Sequence, residues 1–190
     1  MTETHFSKDI LDAEAHIDGY TFFRHDRDFK VNDSLRNDVS HGGGSIIYVK
    51  NYINVSREVA LANAPDSLAV MIDTAVGNLC IACIYRSNSL SLIQNSNLIT
   101  CLKSICNIDN DYETILVGDF NLPDVSWETG CVNGGVIGNN KAFLNQDKYL
   151  NLFSEAGLHW YFTKETTRRR IVKEVLQESL LDQVLYTNDA

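Results

Sequence analysis

The sequence predicts an α/β sandwich with sheets in the middle and helices outside, and three observations carry that prediction. Strand signals near Ser67–Asp73 and Leu79–Tyr85 follow closely through Val76-Gly77-Asn78, and Gly-Asn between strand signals reads as a hairpin turn. Amphipathic helical spacing recurs at Ser89–Cys106 and Asn139–Ala156. Between those two stretches lies a short strand signal at Glu113–Gly118. Hairpins early and strand–helix–strand units later are the order that buries sheets beneath helices.

Taken in order, Ser7 reads as the N-cap of a short helix over Lys8–Ala15. Gly19-Tyr20 leads into an aromatic strand, Thr21–Arg24. His25–Ser40 is charged and lacks periodicity, as a long surface loop does. His41-Gly42-Gly43-Gly44 precedes a strong strand, Ser45–Lys50. No Lys-Ser/Thr follows those glycines and no helix begins there, so close backbone approach is expected rather than a phosphate-binding loop. In Ser89–Cys106 the apolar face comprises Leu90, Ile93, Leu98, Leu102, Ile105 and Cys106. In Asn139–Ala156 it comprises Phe143, Leu144, Leu150, Leu152 and Phe153, with Gly157 as the C-cap. Leu158–Thr163 and Leu180–Tyr186 read as closing strands.

Composition narrows the function classes. A chain of 190 residues suits one domain, spanning 1–190, with a sizeable core. Its 44 % hydrophobic and 22 % charged residues, with 2 prolines, exclude a disordered composition. No run approaches the ~18 apolar residues of a membrane span. Met1–His5 has neither the basic nor the apolar region of a secretion signal, so an intracellular protein without a membrane partner is expected. The net charge of -9 argues against holding nucleic acid by bulk electrostatics. It does not exclude a phosphodiesterase, because a bound divalent cation inverts the local field. One basic cluster, Arg168-Arg169-Arg170, could grip a backbone, although a solvated loop is its plainer reading. The cysteines Cys80, Cys83, Cys101, Cys106 and Cys131 are odd in number and scattered, as reduced thiols are. Cys80 and Cys83 form a C-x-x-C inside a strand-like run, where residues three apart face opposite ways. No second pair or nearby histidine completes a zinc set.

The central stretch is Glu113–Trp127. Ile115-Leu116-Val117 reads as a strand buried on both faces and ended by Gly118. Asp119 and Asn121 flank Phe120, and Pro123-Asp124 force a turn. If the extended backbone persists, Asp119 and Asn121 share one side at the C-terminal end of a core strand, where open α/β folds place their chemistry. An Asx-type turn accounts for the same residues equally well. Polar residues also mark strand ends at Ile84-Tyr85-Arg86 and Leu181-Asp182-Gln183-Val184. Asp182 lies in an apolar run, where a carboxylate needs a partner or a raised pKa.

Four blocks now stand in order: T-E-T at Thr2–Thr4, Gly19-Tyr20, G-D-F-N-x-P-D-x-x-W within Leu116–Trp127, and S-L-L-D-x-V-L-x-T-N at Ser179–Asn188. Together with the G-G-G-S-I-I-Y-V-K strand, they resemble the endonuclease/exonuclease/phosphatase superfamily, the DNase I-like fold, nearly end to end. Within it the chain is most similar to the endonuclease domain of non-LTR retrotransposons. The resemblance implies a four-layer α/β sandwich of two packed mixed sheets flanked by helices. It further implies phosphodiester hydrolysis dependent on Mg²⁺ or Mn²⁺, with DNA nicked as in target-site cleavage. By position, Glu3 would hold the metal and Asp119 would orient or deprotonate the attacking water. Asn121 and Tyr85 would contact the scissile phosphate, and Arg86 a neighbouring one.

Asp182 would orient a histidine from a downstream S-D-H. No S-D-H occurs in the sequence, and His5, His16, His25, His41 and His159 do not match its position. His5 stands where the family has an aromatic residue, and the family's asparagine-bearing first strand would precede Thr2. An incomplete domain with weakened or lost catalysis is therefore expected. The alternatives are a non-catalytic remnant of a retrotransposon reading frame and a phosphatase-type member of the superfamily.

Overall fold

Local sequence chemistry sets most of the elements. In a computed structural model, residues 1–6, 9–26, 43–59, 61, 64, 66–88, 90–107, 112–132, 141–161, 168–172, 175–179 and 182–187 are described, with the backbone alone for 141–145 and within 168–179. In chain order the elements are α1 (Asp12–Ala15), β1 (Tyr20–His25), β2 (Ser45–Lys50), β3 (Val55–Val59), β4 (Leu68–Thr74) and β5 (Gly77–Tyr85). Then come α2 (Leu92–Cys106), β6 (Tyr112–Asp119), β7 (Val125–Ser126), β8 (Cys131–Val132), α3 (Lys141–Glu155), β9 (Leu158–Trp160), β10 (Arg168–Val172), β11 (Val175–Ser179) and β12 (Asp182–Thr187). No described helix is long and apolar enough to cross a membrane.

Among the described residues the main sheet has six strands in the order β3-β4-β5-β6-β12-β9. Only the β5–β6 pair is parallel, with α2 as its crossover, and the other neighbours are antiparallel. A second, two-stranded sheet, β1–β2, packs on β4 and β5. The helices cover the opposite face. Leu98, Leu102 and Ile105 of α2 and Tyr149, Leu152 and Phe153 of α3 meet Ala69, Met71, Ala82, Ile84, Leu116 and Leu185 in one core. Alternation along β4 sends Leu68, Val70 and Ile72, also buried, to the other face. The mixed α/β sandwich expected from the sequence is the fold observed.

Several expectations shift in detail. The first helix starts at Asp12 rather than Lys8, where Glu14 Oε2 accepts from the Leu11 amide at 2.8 Å. The proposed cap Ser7, with Lys8, lies outside the described residues, as does most of the stretch read as a surface loop. The β4–β5 hairpin forms, but it turns at Ala75-Val76, and Gly77 and Asn78 already pair within it. α2 begins after Ser91, whose hydroxyl accepts from the Gln94 amide in a capping box. Ile93, assigned to its apolar face, is 74 % exposed, and Asn95 is buried instead. Arg168-Arg169-Arg170 is not a loop: it forms the start of β10, paired with β11. β6 is buried chiefly at Thr114 and Leu116 and only half-buried between them, so it is not enclosed on both faces.

Candidate active site

The parallel β5–β6 pair and β12 bring three polar strand-end residues into one row. Tyr85 pairs with Asp119, and Asp119 pairs with Asp182. Paired residues share a face, and neighbouring strands lie ~4.8 Å apart, so these side chains stand side by side. That face is opposite the helices, because Leu116 and Ile84, one position out of phase, belong to the helix-side core.

Glu3 reaches the row from the N-terminal segment. The Ile46 amide donates to Met1 O at 3.0 Å, Thr2 bridges to Ser45, and the His5 amide donates to Gly43 O at 3.0 Å. The segment thus runs along β2 and past Gly43-Gly44, whose φ values of 82° and 81° suit glycine. Glu3 itself has φ 53°, and its Oε1 accepts from the Tyr85 hydroxyl at 2.6 Å. Charge-assisted O–H···O⁻ bonds have this length. Behind the row, Ser67 Oγ accepts from the Tyr85 amide at 3.2 Å, and Ser67 O lies 2.9 Å from His25 Nδ1.

The extended backbone does not persist beyond Asp119. Asn121 has φ 47°, and its amide donates to Asp119 Oδ1 at 2.8 Å, which is an Asx-type turn. Asp119 and Asn121 therefore come together through a turn, not through strand alternation. Asn121 is 6 % exposed, and its Oδ1 accepts from Asn88 Nδ2 at 3.0 Å, which leaves the Nδ2 end to donate. Apolar residues anchor the loop that follows: Phe120, Leu122, Val125 and Trp127 are all buried. Phe120 and Trp127 both pack on Phe153 of α3, with ring centroids 5.6 and 6.3 Å away. Gln146 of α3 latches Asp124 reciprocally, accepting from its amide at 3.0 Å and donating to Oδ2 at 2.6 Å.

Arg86 faces away from the row. It is 7 % exposed, and its Nη1 donates to Asn121 O at 2.8 Å while its Nε donates to Asn95 Oδ1 at 3.0 Å. The structure thus joins Glu3, Tyr85, Asp119, Asn121 and Asp182 at one sheet end and turns Arg86 beneath it. The reading of the sequence missed Asn88, Ser67 and Asn95. Asn88 had a signal, because it lies in the polar run Y-R-S-N-S that starts at Tyr85.

Among the described residues, no group of His, Cys, Asp and Glu side chains is large enough to cage a metal by itself. Mg²⁺ needs less than a cage, since one or two carboxylates with waters and substrate phosphate oxygens suffice. The donors here are carboxylate oxygens, and Glu3 is exposed, so the residues fit a hard cation.

A family model described as endonuclease-reverse transcriptase matches residues 79–190, which include most of β5 and all of β6 and β12. The fold is similar to that of the endonuclease domain of TRAS1, a telomere-specific non-LTR retrotransposon, with a TM-score of 0.61 and 15 % identity. That match covers 91 % of this chain and 69 % of the TRAS1 domain. It is also similar to TDP2 of D. rerio, solved with a single-strand DNA product, with a TM-score of 0.52 and 11 % identity. There it covers 90 % of this chain and 62 % of the other, so the chain spans somewhat under two thirds of that structure. At such identities the likeness is one of fold. No curated protein matches the sequence.

Proposed function

The chain belongs to the endonuclease-reverse transcriptase family, within the DNase I-like endonuclease/exonuclease/phosphatase superfamily, and from that premise we propose that it nicks DNA by metal-dependent phosphodiester hydrolysis, at a rate weakened by the absence of an S-D-H motif from the sequence. The observation that carries the proposal is the row Tyr85–Asp119–Asp182 with Glu3 hydrogen-bonded to Tyr85. A phosphodiesterase needs a group to take the proton of the attacking water and donors for the charge that grows on phosphate. Asp119 is the proton acceptor in this proposal. Asn121 Nδ2 is one donor, the Tyr85 hydroxyl becomes the second once its bond to Glu3 is released, and Asp182 stands on the far side of Asp119.

Glu3 would hold Mg²⁺ or Mn²⁺, which supplies Lewis-acid stabilisation of phosphate oxygens when bound. DNA is the proposed substrate. A chain of net charge -9 has little general attraction for it, which puts weight on the local basic strand Arg168–Arg170. That strand belongs to the hairpin that leads into Asp182.

The test is nicking of supercoiled plasmid with Mg²⁺, comparing the native chain with Asp119→Ala and Asn121→Ala. Loss of nicking in both is expected, whereas Mg²⁺-dependent nicking that survives both substitutions refutes the assigned site. Calorimetry with Glu3→Gln tests the metal assignment separately: the native chain should bind Mg²⁺ and the variant should lose that binding.

A further inference from the structure

We propose that Arg86 is a positioning residue: its guanidinium clamps the Asn121 turn from below, and α2 and α3 hold the guanidinium in place. The role in catalysis rests on the phosphodiesterase reading above; the clamp itself does not. Adjacent residues at the end of β5 point to opposite faces, so Tyr85 goes to the row and Arg86 goes beneath it. There Arg86 Nη1 donates to Asn121 O at 2.8 Å and more weakly to Phe120 O at 3.4 Å. Its own amide donates to Asp119 O at 2.9 Å. One arginine thus bonds the backbone of three successive residues, Asp119 to Asn121.

Asn121 needs such a hold. A residue at φ 47° lies in the left-handed region, which asparagine tolerates better than other non-glycine residues when local hydrogen bonds support it. Three bonds do so: the Asp119 carboxylate on its amide, Asn88 on its Oδ1, and Arg86 on its carbonyl.

The seat of the guanidinium is itself fixed. Asn95 Oδ1 accepts from Arg86 Nε at 3.0 Å and from the Tyr149 hydroxyl at 3.3 Å. Asn95 Nδ2 donates to Leu90 O and Ser91 O at 3.0 and 2.9 Å. A flipped amide would set donors against donors, so this orientation is the one that satisfies both ends. The Tyr149 ring lies 5.2 Å from Arg86 Cζ, a cation–π distance. Burial pushes the Tyr149 phenol up to about 12, with Arg86 partly opposing, so it remains a neutral donor. A planar fork serves this seat, and a lysine ammonium cannot reproduce it.

Amide hydrogen exchange and Mg²⁺-dependent plasmid nicking over a salt series, on the native chain, Arg86→Met and Arg86→Lys, test the proposal. Exchange at Asn121 should quicken by about tenfold or more in Arg86→Met, and less in Arg86→Lys, while Leu116 and Val117 keep their protection. Turnover should fall at unchanged KM, with an unchanged slope of affinity against salt. A phosphate-gripping arginine would leave Asn121 exchange alone and reduce that slope by ~0.9, which overturns the proposal. Uniform acceleration along β6 in both variants also overturns it, making Arg86 a core residue only. Should Arg86→Met fail to fold, Arg86→Lys keeps the charge and decides alone. If the native chain does not nick, the phosphodiesterase reading fails, and the exchange data still decide the clamp.

Discussion

Gly118→Ala should be among the most damaging single-methyl changes in this chain. Gly118 sits inside β6, paired with Ile84 of β5, and its φ is 141°. A Cβ built there would lie 2.0 Å from Ile84 O, 2.9 Å from Ile84 C and 3.1 Å from Ile84 N. All three are backbone atoms, so no side chain can swing aside, and the β5–β6 pair must part. The φ strain costs about 1–3 kcal/mol. Overpacking adds about 1–3 kcal/mol. The loss is then about 2–6 kcal/mol, out of the 5–15 kcal/mol typical of a domain. At roughly 2–4 °C per kcal/mol for a chain of this size, the melting temperature should fall by about 4–24 °C. Gly157→Ala is the control, because it has φ 64° but nothing within 4 Å of its Cβ, so only strain applies. Thermal and urea unfolding of both variants would measure the difference. If Gly118→Ala loses no more stability than Gly157→Ala, the close approach to Ile84 does not constrain the sheet and the reasoning fails.

Other perturbations separate the site from the scaffold. Tyr85→Phe removes the hydroxyl bonded to Glu3; plasmid nicking should drop about a hundredfold or more. Unfolding should show a cost of about 1 kcal/mol at most, since Glu3 is exposed. Burial pushes the Cys80 and Cys106 thiols up to about 11, from an ordinary 9.0. The folded state holds these protons longer than the unfolded chain, so their contribution is full below pH 9 and is lost as pH rises through 11. Stability should fall by about 3 kcal/mol per thiol across that window, and a Cys80→Ala/Cys106→Ala double variant should show a shallower fall by urea titration. A thiol reagent at neutral pH should label exposed Cys131 first and buried Cys80 and Cys83 last, as peptide mapping would read; early labelling of Cys80 would contradict the packing.

How much of this was legible depends on the range of the interaction that decides each feature. The polar strand ends at Tyr85, Asp119 and Asp182 were readable one at a time, because each interrupts an apolar run. Their alignment was not, since pairing register is set between strands distant in sequence. Gly118 was read as a strand terminator, yet glycine also permits close backbone approach, and only Ile84 tells the two apart. β3 and the β10–β11 hairpin escaped notice because Ser-Arg-Glu and Arg-Arg-Arg carry no apolar alternation; in β3, Ser56, Arg57 and Glu58 are exposed on an edge strand. Glu3 had no local signal. A hydrogen bond to a tyrosine 82 positions away gives it a defined place.

The turn at Asp119–Asn121 shows why the two readings of its spacing were never true alternatives. The Asx bond that makes it an ordinary turn also carries the Asn121 carboxamide to the end of the row. What an ordinary Asx turn lacks is a buried cation under its carbonyls and a second amide on its side chain. Those contacts span 35 and 33 residues, so they belong to the fold and not to the motif. The perturbations should therefore separate. Gly118→Ala acts on strand spacing and should affect stability and site together. Arg86→Met should loosen the turn while the β6 ladder stays protected, and Tyr85→Phe should strip a donor and leave both intact. If all three variants instead lost stability and nicking in proportion, the site would have no organisation beyond that of the sheet carrying it.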